Sequence, residues 1–153
     1  MASQKLRRYF AEYASFHQTP GNQLTHYFGI PMIVLGLLGV LAQLVLIPAP
    51  IADYAWFQVD AGLLLWVGAG VWYLTLDQKV VPFYLLLILS MYALARTWST
   101  PLHLGLFFGG WVIQFVGHVR FEKKKPAFTD NLLHLLIGPL WIFSKMIGHR
   151  SGH

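Results

Sequence analysis

Cysteine is absent from the 153-residue sequence. Disulfides and thiolate metal ligands are therefore excluded, and the chain gives no sign of its redox compartment. Charge is scarce. Only 11% of the residues are Asp, Glu, Lys or Arg, against about 25% in a soluble domain. With 56% apolar residues, the chain cannot cover a water-facing surface, so lipid is expected as the solvent for much of it. Acidic residues are scarcer still, 6 against 11 Lys and Arg, for a net charge of +5. The basic residues flank apolar runs and form no separate patch, which fits a membrane anchor and argues against nucleic acid as a partner. The first 26 residues hold no apolar core, so no cleaved signal peptide is expected. Internal repeats and low-complexity segments are missing, and the length predicts a single membrane-embedded domain over 1–153.

What is present is a series of apolar runs divided by Gly, Pro and short polar turns. Residues 2–18 predict an amphipathic helix with Leu6, Tyr9, Phe10, Tyr13, Phe16 and His17 on one face. Such a face lies either along a membrane surface or on the protein itself. Thr19-Pro20-Gly21-Asn22 predicts a turn, with Asn22 as cap of the next helix. The first long run, 23–46, carries no charge for about twenty residues from Tyr27, enough to cross a hydrocarbon core of ~30 Å. Pro48-Ala49-Pro50 stops it, and the loop to Asp60 holds Asp53 and Asp60 but no Lys or Arg. Runs two, three and four are 61–76, 80–95 and 102–116, the second short for a full span. Asp77-Gln78-Lys79 and 96–101 are the loops between them. A fifth apolar stretch, 131–147, contains Gly138-Pro139, which predicts a re-entrant or interfacial helix. The expected fold is thus an all-α membrane bundle with about four transmembrane spans, an N-terminal amphipathic helix and a C-terminal re-entrant or interfacial one.

Charge orients this bundle. With the N-terminus in the cytoplasm and four spans, Lys5, Arg7, Arg8, Lys79, Arg120, Lys123, Lys124, Lys125, Lys145 and Arg150 face the cytoplasm, and only Arg96 faces the other side. That asymmetry is a positive-inside pattern. The expected location is an integral membrane, the inner membrane of a bacterium or the endoplasmic reticulum of a eukaryote. Four crossings also bring two polar islands to one face although roughly ninety residues separate them: His17 to His26, and Gln114 to Glu122.

Of seven histidines, His149 and His153 fall in a polar tail and His103 falls at the opposite end of the fourth run. His17, His26, His118 and His134 share one predicted depth. Without cysteine, such a group offers a nitrogen-rich site for a first-row metal. Glu122, four residues after His118, shares its helical face. It reads as a carboxylate ligand, as a partner orienting His118, or as a counter-charge for nearby lysines. Asn22 reads as a hydrogen-bond partner for a ligand or substrate, or as the helix cap. Two non-enzymatic alternatives stay open: a membrane scaffold with interhelical histidine hydrogen bonds, and a small transporter or haem-carrying subunit. The four runs carry few of the midplane polar groups that a transporter needs.

Three motifs then stand together: Tyr13-x-x-x-His17 with Asn22-x-x-x-His26-x-x-Gly29-Ile30-Pro31; Gln114-x-x-Gly117-His118-x-x-x-Glu122 with Lys125-Pro126-Ala127; and Asn131-Leu132-Leu133-His134-Leu135-Leu136-Ile137-Gly138-Pro139. Over nearly the whole chain they resemble the signature of the 2-hydroxy fatty acid dioxygenase family, fungal enzymes of fatty-acid α-oxidation and their bacterial relatives. The resemblance implies an Fe(II)-dependent membrane enzyme that uses O2 to convert a 2-hydroxy fatty acid to the fatty acid one carbon shorter. It implies His17, His26 and His118 as ligands, with His134 added in the bacterial branch. Asn22 and Glu122 complete the candidate catalytic set. On this reading the acyl tail lies among the spans while its polar head reaches the metal, and Arg120 or Lys123 to Lys125 attract the carboxylate.

Overall fold

The computed structural model describes residues 3–48 and 58–149. They form six α-helices, a π-helical segment, a 3-10 turn and a two-stranded hairpin. The order is α1 (Gln4–Ser15), α2 (Pro20–Leu41), β1 (Val45–Ile47), β2 (Val59–Asp60), α3 (Ala61–Leu74), α4 (Val81–Ala95), α5 (Thr100–Val116), the π-helix (Gly117–Glu122), the 3-10 turn (Ala127–Thr129) and α6 (His134–Met146).

Each start has a local cause. The Ser3 hydroxyl accepts from the Leu6 amide and caps α1. Thr19, and not Asn22, caps α2, with Pro20 at the first helical position, where its missing N–H costs nothing. The expected turn at 19–22 is therefore the first turn of α2, and Asn22 is freed for another use. Asp60 caps α3 through Oδ1 and accepts from the Tyr92 hydroxyl through Oδ2, tying the start of α3 to α4. Asp77 closes the α3–α4 turn by accepting from the Lys79 and Val80 amides at 2.8 and 3.2 Å. Partial burial pushes its carboxyl up, but those bonds and nearby His149 outweigh it and hold the pKa below the usual carboxylate range.

The apolar face of α1 packs on protein: Leu6, Phe10 and Tyr13 join Ile137, Leu140 and Trp141 of α6 in the main core. α6 is itself heavily buried, with Ile137 and Leu140 at 0% and 1% exposure. It spans 13 residues, only about 20 Å. Among the described residues, two stretches are long and apolar enough to cross a membrane: Pro20–Leu41, and α5 with the π-helix, Thr100–Glu122. Of the other two expected spans, α3 and α4 have 14 and 15 residues, short of the ~20 that a full crossing takes. The first run ends as a helix at Leu41, and Val45–Ile47 pairs antiparallel with Val59–Asp60, a hairpin the run pattern did not predict. Asp53, Ala49 and Pro50 lie outside the described residues.

The outer faces of α4 and α5 carry Phe83, Leu86, Phe108 and Val112, each more than 60% exposed. An apolar surface of this kind calls for lipid or a partner. Inside, α2 and α5 meet backbone to backbone through glycines. A Cβ on Gly36 would stand 2.6 Å from the His103 carbonyl, and one on Gly110 2.7 Å from the Gly29 carbonyl. Small residues permit that approach, and it brings the end of α5 against the start of α2.

Candidate metal centre

Three elements deliver one imidazole each. His17 sits in the link after α1, His26 on the second turn of α2, and His118 at the start of the π-helix. All three are 2% exposed. Their ring centroids lie 4.3, 4.8 and 5.0 Å apart. One nitrogen from each falls within 4.8 Å of the other two, so the group could hold a metal ion.

The hydrogen bonds fix the protons. His17 Nδ1 lies 2.7 Å from the Tyr13 carbonyl, and His26 Nδ1 2.8 Å from the Asn22 carbonyl. A carbonyl can only accept, so each Nδ1 carries the ring hydrogen and each Nε2 a bare lone pair. These two Nε2 atoms face each other at 2.9 Å. Two lone pairs at that distance repel unless a cation lies between them. A shared proton would require a charged ring. Burial opposes this at His17, pushing its pKa down to about 4, while the Tyr13 backbone bond pulls partly the other way and His118 adds to the lowering. His118 Nδ1 is buried with no partner. The three imidazoles thus offer a nitrogen donor set that could hold a metal ion.

Glu122 is not part of the imidazole group. Its Oε1 accepts from the Gln18 amide at 3.0 Å. Its Oε2 accepts from the Thr19 amide, the Thr19 hydroxyl and Asn22 Nδ2 at 3.0, 2.9 and 3.2 Å. The carboxylate therefore seals the N-terminus of α2, where the helix dipole favours a negative charge. It fixes the turn that separates His17 from His26. These four donors give Glu122 a structural use that its spacing from His118 does not reveal. Asn22 shares this clamp, donating also to the Phe16 carbonyl at 3.3 Å.

His134 stands beside the group. Its Nδ1 lies 2.9 Å from the Ala127 carbonyl and its Nε2 3.4 Å from Glu12 Oε1. Tyr13 touches both sides, stacked on His17 at 4.0 Å and edge-on to His134 at 5.8 Å. Lys123 ends the π-helix in the left-handed conformation, φ 55°. Lys124 donates to the Ser15 carbonyl, and Lys125 pairs with Asp130. Sequence reasoning missed Glu12 and Trp141. The Trp141 ring lies 5.8 Å from His17 and carries Lys145 over its face at 4.3 Å. Lys145 in turn donates to Gln23, whose amide donates to the His17 carbonyl. Only tertiary packing creates these contacts, so no spacing in the sequence signals them.

A cavity of about 460 Å³ opens from the three histidines, within the range of small-molecule sites. It is lined by α2, α3, α4, α5 and α6, with Val34, Leu38, Leu65, Ala69, Ile88 and Leu136 among its apolar residues. The arrangement is a polar, metal-ready head on a long apolar chamber.

The family model for Mpo1-like proteins, described as 2-hydroxy-palmitic acid dioxygenase Mpo1-like, matches residues 3–150. Among curated proteins, 2-hydroxy-palmitic acid dioxygenase MPO1 of Saccharomyces cerevisiae is 29% identical over 145 residues, covering 93% of this chain and 79% of the yeast protein. No solved structure matches the chain.

Proposed function

The chain belongs to the Mpo1-like family, and from that premise we propose that it is an Fe(II)-dependent dioxygenase of the membrane. It takes 2-hydroxy fatty acids and O2 and yields fatty acids one carbon shorter. His17, His26 and His118 hold the iron on the cytoplasmic face. The chain forms one domain, 1–153, with α2, α3, α4 and α5 as its four spans. The short α3 and α4 sit where the bilayer thins or borrow flanking residues.

One observation carries the reading: three buried imidazoles converge at the head of an apolar chamber. His17, His26 and His118 would hold the iron through three neutral nitrogens, few enough that it could also engage the substrate head and O2. When bound, the iron supplies the activation of O2 and the oxidising power. The protein supplies the rest. The Tyr13 and Asn22 carbonyls hold His17 and His26 with their Nε2 lone pairs inward. Glu122 and Asn22 hold the turn between them, and α6 closes the site with Trp141. The chamber takes the acyl tail out of water and leaves the 2-hydroxy-carboxylate at the histidines. His134 serves as a neighbour of the site through Tyr13 and Glu12.

The scaffold alternative loses support at the 2.9 Å contact of the two Nε2 atoms, because an interhelical hydrogen bond there has no hydrogen to use. The test is oxygen uptake by anaerobically purified, iron-loaded protein given 2-hydroxypalmitate, with the products identified by mass spectrometry. The expected product is the fifteen-carbon acid, since one carbon is lost from a sixteen-carbon chain. Iron-loaded protein that takes up no O2 with any 2-hydroxy acid would overturn the reading.

A further inference from the structure

Among the described residues, four large apolar side chains line the chamber and are also exposed on the outer surface: Leu65 at 36%, Leu135 at 44%, Phe115 at 46% and Leu132 at 73%. Leu65 stands alone on α3. The other three flank one gap, Phe115 on α5 and Leu132 and Leu135 at the start of α6. Backbone packing does not close this gap. α5 lies along α2, and α6 packs on α1 and α2, but no comparable packing joins α5 to α6.

Rings close it instead. Phe128, on the 3-10 turn, meets Trp111 of α5 at 5.2 Å and Phe115 at 6.3 Å, and all three line the chamber. Parting rings leaves no hydrogen bond unmade, whereas parting paired backbone would. The residue before Phe128 is fixed. Ala127 is 2% exposed, and its carbonyl accepts from the Asp130 amide at 3.2 Å and lies 2.9 Å from His134 Nδ1. The Phe128 side chain can therefore turn on an anchored backbone. A mouth rimmed by Phe and Leu offers water and polar solutes nothing. It suits a methylene chain, which leaves one apolar surround for another. Phe115 precedes His118 by three residues, about 4.5 Å along the helix, so the mouth opens beside the histidines. A fatty acid sliding in sideways brings its head to them while its tail stays out of water. We propose that this gap is the substrate entrance: the acyl chain passes from the bilayer between α5 and α6 into the chamber, and Phe128 turns aside to admit it.

The proposal rests on the oxygenase reading above, and its test keeps the two apart. The sequence has no cysteine, so Phe115→Cys combined with Phe128→Cys puts one thiol pair across the gap. The full-length, iron-loaded double variant, in phosphatidylcholine vesicles, is bridged with a short bifunctional methanethiosulfonate. Binding of 2-hydroxypalmitate is followed anaerobically by stopped-flow tryptophan fluorescence. The bridged protein should bind about tenfold or more slowly than the reduced form, as when binding waits on a conformational change. Reduction should restore the rate, with metal content constant throughout. Phe128→Ala, which needs no bridge, should keep its metal and bind severalfold faster than wild type. Leu86→Trp, on the outer face of α4 and outside the chamber, should bind at the wild-type rate. Equal rates in bridged and reduced protein overturn the entrance. So does Phe128→Ala that binds no faster than wild type, or Leu86→Trp slowed as much as the bridged form. Wild-type protein that holds iron yet binds no 2-hydroxypalmitate sinks the oxygenase reading itself, and the entrance with it.

Discussion

At the residue scale, a carboxylate four positions after a candidate ligand has several uses, and spacing cannot choose among them. Glu122 could be read as ligand, orienting partner or counter-charge because its place four residues after His118 and beside three lysines allows all three. The structure gives it a fourth use, accepting from Gln18, Thr19 and Asn22 across about a hundred residues of sequence. Glu122→Gln keeps the shape, removes the charge and turns an NH2 group toward donors. The expected cost is about 1–3 kcal/mol of stability, read as a lower melting temperature in detergent. Metal should still bind with wild-type stoichiometry. If Glu122→Gln melts normally but loses its metal, the residue is a ligand and the clamp is wrong.

At the scale of elements, the site depends on how closely α5 and the π-helix approach α2. A Cβ on Gly117 would fall 2.0 Å from the Thr25 hydroxyl and 2.6 Å from Asn22 Oδ1. Gly117→Ala should force the π-helix away from α2, cost about 1–3 kcal/mol as overpacking does, and weaken metal binding although no ligand has changed. Gly105→Ala, in α5 with nothing within 4 Å, should be neutral or stabilising by up to about 1 kcal/mol. Equal metal affinity in the two variants would show that the approach does not position His118. The π-helix widens the turn that carries His118 and Glu122, a device common at functional sites. Helical periodicity in the sequence could not separate it from the end of an ordinary α-helix.

At the scale of the whole molecule, the meeting of His17, His26 and His118 was legible because it follows from counting apolar runs. Pro and Gly mark the turns, and an even number of runs lies between His26 and His118. The hidden parts are those made by packing alone. They include the hairpin at Val45 and Val59, the burial of α6, the Thr19 cap that displaced Asn22, and Trp141 beside His17. His134 shows the limit of reasoning by depth, since equal depth does not bring its ring into the trio, and Tyr13 meets it edge-on. The chamber also belongs to the whole molecule. His26 and Leu38 both line it, and twelve residues of α2 amount to about 18 Å. An extended alkyl chain with bonds of ~1.5 Å near 111° advances ~1.25 Å per carbon, so about fourteen carbons fit beyond the head group. Ala69→Phe, which fills part of the apolar chamber, should cut turnover of 2-hydroxypalmitate while sparing 2-hydroxyoctanoate. An equal loss on both acids would move the tail out of this chamber.

The central claim is that His17, His26 and His118 share one ion, and anaerobic titration of metal-free protein with Fe(II) tests it most directly. Wild-type protein is predicted to bind one equivalent, and His17→Ala, His26→Ala and His118→Ala each to lose tight binding while remaining folded. Wild-type protein that takes up no Fe(II), or three variants that all take it up as wild type does, would contradict the account.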